Sequence, residues 1–144
     1  MRRHALFLVL LLALAAPARA EAVNLKIGLG ANYWLAKAGV FNIDLAITVP
    51  LASVIAVGGR AGIALTTSPT AVGIPLDILL QIRPAARVYI DILGGPWPLF
   101  GDGATVRGHF AAGVGLKVGP VSFGPEVGYL DPDGILGMRL AIGI

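Results

Sequence analysis

The sequence predicts an all-β protein: an eight-stranded antiparallel up-and-down transmembrane β-barrel that follows an N-terminal signal peptide. Three observations carry that reading. The chain of 144 residues is 56% hydrophobic and only 13% charged, yet beyond the N-terminus no run of about 18 apolar residues would make a spanning helix. It contains 20 glycines and 10 prolines, and both residues weaken helix interiors. Apolar residues also alternate with small or polar ones along the chain, which is the period of a strand.

Met1-Arg2-Arg3-His4 is a basic head, Ala5 to Ala16 is an apolar stretch, and Ala18-Arg19-Ala20 offers small residues at the two cleavage positions. That is the order of a secretory signal. The expected division is a signal peptide over 1–20 and an outer-membrane β-barrel over 21–144. Of 11 Lys+Arg and 8 Asp+Glu, Arg2, Arg3 and Arg19 leave with the signal, so the mature chain is formally neutral. Neutrality removes the basic balance that nucleic-acid binding needs, and no nucleic-acid partner is expected. The chain has no cysteine, which excludes disulfides, thiol catalysis and a lipid anchor on an N-terminal cysteine.

Eight alternating stretches follow. Val23 to Tyr33 places apolar residues on odd positions against Asn24, Lys26, Gly28, Gly30 and Asn32. Phe41 to Leu51 does the same against Asn42, Asp44, Ala46 and Thr48. Val57 to Leu65 opposes Gly58, Arg60, Gly62 and Ala64, and Val72 to Ile82 opposes Gly73, Pro75, Asp77 and Gln81. Val88, Ile90 and Ile92 alternate with Arg87, Tyr89, Asp91 and Leu93. Phe110 to Val118 alternates with His109, Gly113, Gly115 and Lys117. Val121 to Tyr129 alternates with Ser122, Gly124, Glu126 and Gly128, and Leu136 to Ile144 with Gly137, Arg139 and Gly143. Strands of about ten residues, tilted, cross a hydrocarbon layer, and single-chain bacterial barrels use an even count. With the N-terminus in the periplasm, outer loops fall near 35–40, 67–71, 94–105 and 130–134. Shorter inner turns fall near 51–53, 84–86 and 119–120. Bulges are expected at Pro75 and Pro125, which lie within strands, and another irregularity near Gly58-Gly59.

The apolar face is assigned to the outside. A soluble barrel would turn the glycines of the other face toward water, where they cost backbone entropy and gain nothing. Inside a narrow barrel, small residues leave room for long charged ones. The expected lumen charge network is Lys26, Asp44, Arg60, Asp77, Arg87, Asp91, His109, Lys117, Glu126 and Arg139. Its signs largely alternate between neighbouring strands, so ions can neutralise one another where unpaired ones would be costly.

In this pattern the chain resembles the small eight-stranded outer-membrane barrels, the class of the OmpA transmembrane domain and OmpX. The resemblance covers the whole mature chain, is architectural, and rests on no family-specific motif. It implies residence in the outer membrane, contact with outer-membrane lipid, and insertion by the outer-membrane assembly machinery. Such proteins usually end on an outward aromatic residue; this chain ends on Ile144, which implies a variant assembly signal.

Three constellations bear on function. Gly94 to Gly103 reads as the longest outer loop, offering Trp97, Leu99 and Phe100 for contact with a surface ligand or the membrane boundary. Tyr33, Trp34, Phe41 and Tyr129 belong to an aromatic girdle at the same rim. His109 is the single histidine of the mature chain, and Ser122 should lie toward the opposite end, so no Ser–His catalytic pair is expected. No metal-binding set or cofactor site is recognised, and Gly28-Leu29-Gly30 lacks the third glycine and the helix of a dinucleotide loop. The expected function is a small structural or surface-interaction barrel with a side-chain-filled, charged lumen. The alternatives are a narrow porin-like channel, a lipid-modifying barrel enzyme, and a soluble barrel that holds lipid inside.

Overall fold

The computed structural model describes residues 23–36 and 38–144; the expected signal peptide lies outside the described residues. The strands are β1 (Asn24–Trp34), β2 (Ala38–Pro50), β3 (Ile55–Thr67), β4 (Thr70–Gly73), β5 (Leu76–Ala85), β6 (Val88–Phe100), β7 (Ala104–Val118), β8 (Val121–Leu130) and β9 (Asp133–Gly143). β4 and β5 are two parts of one stave, parted at Ile74-Pro75, so the nine strands build eight staves. Each stave pairs antiparallel with the next, and β9 returns to β1, which closes the ring.

The register sets the tilt. A walk across paired residues runs from Asn24 to Thr48, Gly58, Leu79, Leu93, Ala111, Gly128 and Ile135, and returns to β1 at Trp34. One circuit therefore climbs from the foot of β1 to its top. Such a shear tilts the strands strongly and leaves a bore that side chains can fill.

The apolar face is outside, as the glycine argument requires. Ile43, Ile63, Val127 and Leu136 are exposed on separate staves, and Ile78 is 77% exposed. An apolar belt running round the molecule far exceeds the patches that monomers expose to water, whereas lipid accepts it. The core lies inside, where Asp44, Arg60, Asp77, Gln81 and His109 are buried beside Leu79, Leu93 and Trp97. This arrangement overturns the soluble lipid-holding alternative, whose greasy face would line the bore.

Two expectations about connections need correction. The hairpins opposite the chain ends are tight, at 68–69, 101–103 and 131–132, and none exceeds the longest of those at 51–54, 86–87 and 119–120. Period-two alternation simply continues further toward that rim than the glycine-rich and proline-rich segments implied. The proline sites also lack the expected bulges. Pairing keeps one register past Pro75 and past Pro125, and the irregularity falls instead between Ile82 and Ala85, around Arg83-Pro84. No register shift marks Gly58-Gly59. A proline costs its own ladder bond, but neighbouring pairs hold the strand in place.

Candidate functional site

The lumen is the candidate site, and it is built in tiers. The rim that carries Asn24 and Gly143 is here the terminal rim, and the opposite one the distal rim. At the distal rim Trp34, Ala38, Val40, Ala64, Trp97, Leu130 and Ile135 form one apolar cluster. Its indoles are anchored at their polar ends: Trp34 Nε1 donates to the Leu130 carbonyl at 2.8 Å, and Trp97 Nε1 donates to Asp77 Oδ1 at 3.1 Å. Buried indole N–H groups need such partners. Arg107 lies over the Trp34 ring at 5.1 Å and donates to the Asp131 carbonyl, so the cluster ends in a cation at the water boundary.

This tier corrects part of the sequence reading. The supposed outer loop at 94–103 is mostly strand: β6 pairs with β7 without interruption from Val88 to Phe100. Alternation therefore sends Trp97 and Leu99 inward, 1% and 5% exposed, and only Phe100 outward. The same parity takes Trp34 out of the girdle, while Tyr33, Phe41 and Tyr129 do face outward.

Below the apolar tier lies the ion network. Asp77 sits opposite Arg60 in the β3–β5 register and receives its Nε at 3.0 Å and Nη2 at 2.7 Å. Its other oxygen accepts from Trp97 and meets His109 Nδ1 at 2.8 Å. An ionised carboxylate only accepts, so Nδ1 carries the proton in that contact. The His109 ring stacks on Trp97 with centroids 4.4 Å apart, and its Nε2 is buried without a partner. Arg60 reaches across the bore to Glu126 at 3.3 Å; Glu126 also meets Arg139 at 3.6 Å, and Arg139 pairs with Asp44 at 2.5 Å. Two guanidinium groups thus face three carboxylates, and His109 Nδ1–H adds a further donor to Asp77. One connected network ties β2, β3, β5, β7, β8 and β9 across the lumen.

The register explains how such large groups fit. Asp44 lies between Gly28 and Gly62, Glu126 between Gly113 and Gly137, and Arg139 between Gly30 and Gly124. Each charged residue is flanked on both neighbouring strands by a residue with no side chain, and the Asp44 carboxylate lies over the space at Gly28. The pair Gly28 and Gly30 therefore makes a groove across β1, beneath Asp44 and Asn42. Tyr89 covers Gly115 in the same way.

Toward the terminal rim, Leu79, Leu93 and Ala111 form a second apolar patch. Lys26 then lies over the Tyr89 ring at 5.0 Å, and Gln81 donates to Asp91 at 2.8 Å. Arg87 and Lys117 do not join the buried network. Arg87 sits in the 86–87 hairpin and Lys117 beside the 119–120 one, and both are exposed to water, because a long side chain at a rim gains more from hydration than from an enclosed pair. Ser122 donates to the Ala141 carbonyl at 3.4 Å. It pairs with Lys117 while His109 pairs with Leu130, so the two sites stand eight residues apart along β7, roughly 26 Å at about 3.3 Å per residue. They form no catalytic pair.

Charge alternation made the ion tier legible in the sequence, but the indole of Trp97 as a ligand of Asp77 was not. A period count carried through the glycines and prolines of 94–98 would have found it.

No protein-family model matches the sequence, and no curated protein matches it. Solved structures do share its fold. A de novo designed transmembrane β-barrel is 10% identical over 88% of this chain and 100% of the designed one, with a TM-score of 0.70. The outer membrane enzyme PagL is 15% identical over 83% of this chain and 98% of its own, with a TM-score of 0.59. The Yersinia pestis outer membrane protein Ail, solved in a phospholipid bilayer nanodisc, is 11% identical over 85% and 100%, with a TM-score of 0.58. At these identities the fold alone is shared: the chain is a closed eight-stave antiparallel barrel of the small outer-membrane type.

Proposed function

We propose that the protein is a structural barrel of the bacterial outer membrane, delivered by a cleaved signal peptide, with a closed lumen and no catalytic role. The observation that carries this reading is the filled bore. An apolar tier at the distal rim rests on a connected ion network, and both are buried. Ions crossing this lumen would have to part Arg60 from Asp77 and displace two indoles. The apolar belt supports lipid as the partner of the outer wall, and the fold shared with Ail and PagL supports the outer membrane as the location. Insertion by the outer-membrane assembly machinery belongs to the same proposal. Tight distal hairpins favour a structural role over a surface-interaction one, since they offer a ligand little reach.

Conductance in planar bilayers tests the closed lumen against the narrow-pore alternative. The unmodified barrel should give no steady current steps. Arg60→Ala and Asp77→Ala each break the buried Arg60–Asp77 pair, a loss of up to about 3–5 kcal/mol, and should open a fluctuating conductance. Steady conduction by the unmodified barrel would replace the closed reading with that of a pore.

A further inference from the structure

The terminal mouth of the lumen gathers cations that the buried ion network does not pair. A cleft of about 100 Å³ lies there, lined by Lys26, Gln81, Arg83, Arg87, Tyr89 and Lys117 among others, and no carboxylate side chain lines it. Alternation turns Lys26, Gln81, Arg83, Tyr89 and Lys117 to the inner face of β1, β5, β6 and β7, and Arg87 joins them from the 86–87 hairpin, so the cleft lies at the mouth of the bore. Arg83 Nε donates to Gln81 Oε1 at 2.9 Å, which fixes that side chain while leaving its terminal nitrogens unengaged. Gln81 in turn holds Asp91 at 2.8 Å, behind the amide and out of the cleft lining. Among the described residues, none of the four cations takes part in a salt bridge. Deeper in the barrel every buried arginine is paired, so this surplus is confined to the mouth.

Four like charges around one concave opening repel one another, and low-dielectric walls focus their field. An anion relieves that repulsion. Two guanidinium groups offer planar forks suited to a tetrahedral oxyanion, and two ammonium groups add point charge. We propose that the terminal mouth is a binding site for a phosphate-class oxyanion, held by Arg83, Arg87, Lys26 and Lys117. The volume suits a single phosphate group, either free in the aqueous compartment or carried on a lipid headgroup folded over the rim. The site does not depend on whether the lumen conducts.

The test is an amide NMR titration of the whole folded barrel in bilayer nanodiscs, following Ala85, Ala86 and Val88. In phosphatidylcholine discs, inorganic phosphate should give saturable shifts at these amides, and Arg83→Gln with Arg87→Gln should weaken the binding at least tenfold. Arg107→Gln, at the distal rim, should leave it unchanged and reports that the fold survives substitution. Saturation by free phosphate identifies an aqueous ligand. Shifts that appear only when phosphatidylglycerol is in the disc, and vanish in the double variant, identify a lipid phosphate on the same groups. No saturable shift in either lipid, or equal shifts in the double variant, would overturn the site.

Discussion

Asp44 shows how single residues shape the bore: its carboxylate lies over Gly28 on one neighbouring strand, and Gly62 abuts its Cα and Cβ on the other. A Cβ built at Gly62 would run into the Ile43 carbonyl and come within 2.7 Å of the Asp44 Cα. That obstacle is backbone, and it cannot turn aside. Three residues earlier, Gly59 faces the lipid, and its nearest such neighbour is the Asp77 carbonyl oxygen at 3.6 Å, an ordinary contact. Gly62→Ala should therefore destabilise the barrel by about 1–3 kcal/mol through overpacking. Gly59→Ala should be neutral, or stabilising by about 0.4–1 kcal/mol through the unfolded chain. Urea unfolding of the vesicle-inserted barrel, followed by tryptophan emission, measures both. Equal effects from the two substitutions would remove the claim that inward glycines are set by cross-strand backbone contact.

Strand β6 crosses a weak seam of the barrel. Its outer half is Gly94-Gly95-Pro96-Trp97-Pro98, a composition that reads as loop, yet it keeps full register with β7. Pro98 still accepts a bond from the Ile74 amide at 2.9 Å. Lacking an N–H, it cannot return one, so the Ile74 carbonyl loses its partner on β6; Pro96 faces the same way. The weakened seam coincides with the break between β4 and β5. Pro98→Ala should restore one ladder bond, worth about 0.5–1.5 kcal/mol, and slow hydrogen exchange at Ile74 and neighbouring amides. Unchanged exchange there would show that the seam is held by something other than its ladder. The same strand marks the limit of what the sequence discloses. Period two gave the eight staves, the outward apolar face and the inward ions, because alternation is local. Hairpin length near glycine and proline was misjudged, since those residues punctuate loops and also occupy strand positions at a weak seam. The partners Arg60–Asp77 and Arg139–Asp44 were not legible, because register depends on closure of the whole ring.

At the scale of the whole molecule, the two tryptophans report which side of the wall is which. Interfacial tryptophans of membrane barrels usually face lipid, but Trp34 and Trp97 are both buried in the distal tier of the lumen. In bilayers of brominated lipid their emission should be only weakly quenched, because the wall of strands separates the indoles from the acyl chains. Aqueous acrylamide should also quench weakly, because the tier is packed and capped by Arg107 over Trp34. A reporter calibrates the scale: Phe100→Trp, placed on the outward face in a background carrying Trp34→Phe and Trp97→Phe, should be strongly quenched by brominated lipid. The Trp97→Phe change removes a donor from Asp77, so folding of that background is checked by its altered mobility on unboiled gels. If the native indoles are quenched as strongly as the outward reporter, they face lipid, and the tier that closes the distal lumen does not exist. If acrylamide alone quenches them strongly, the bore is wet from the distal end, and the closed barrel gives way to a water-filled one.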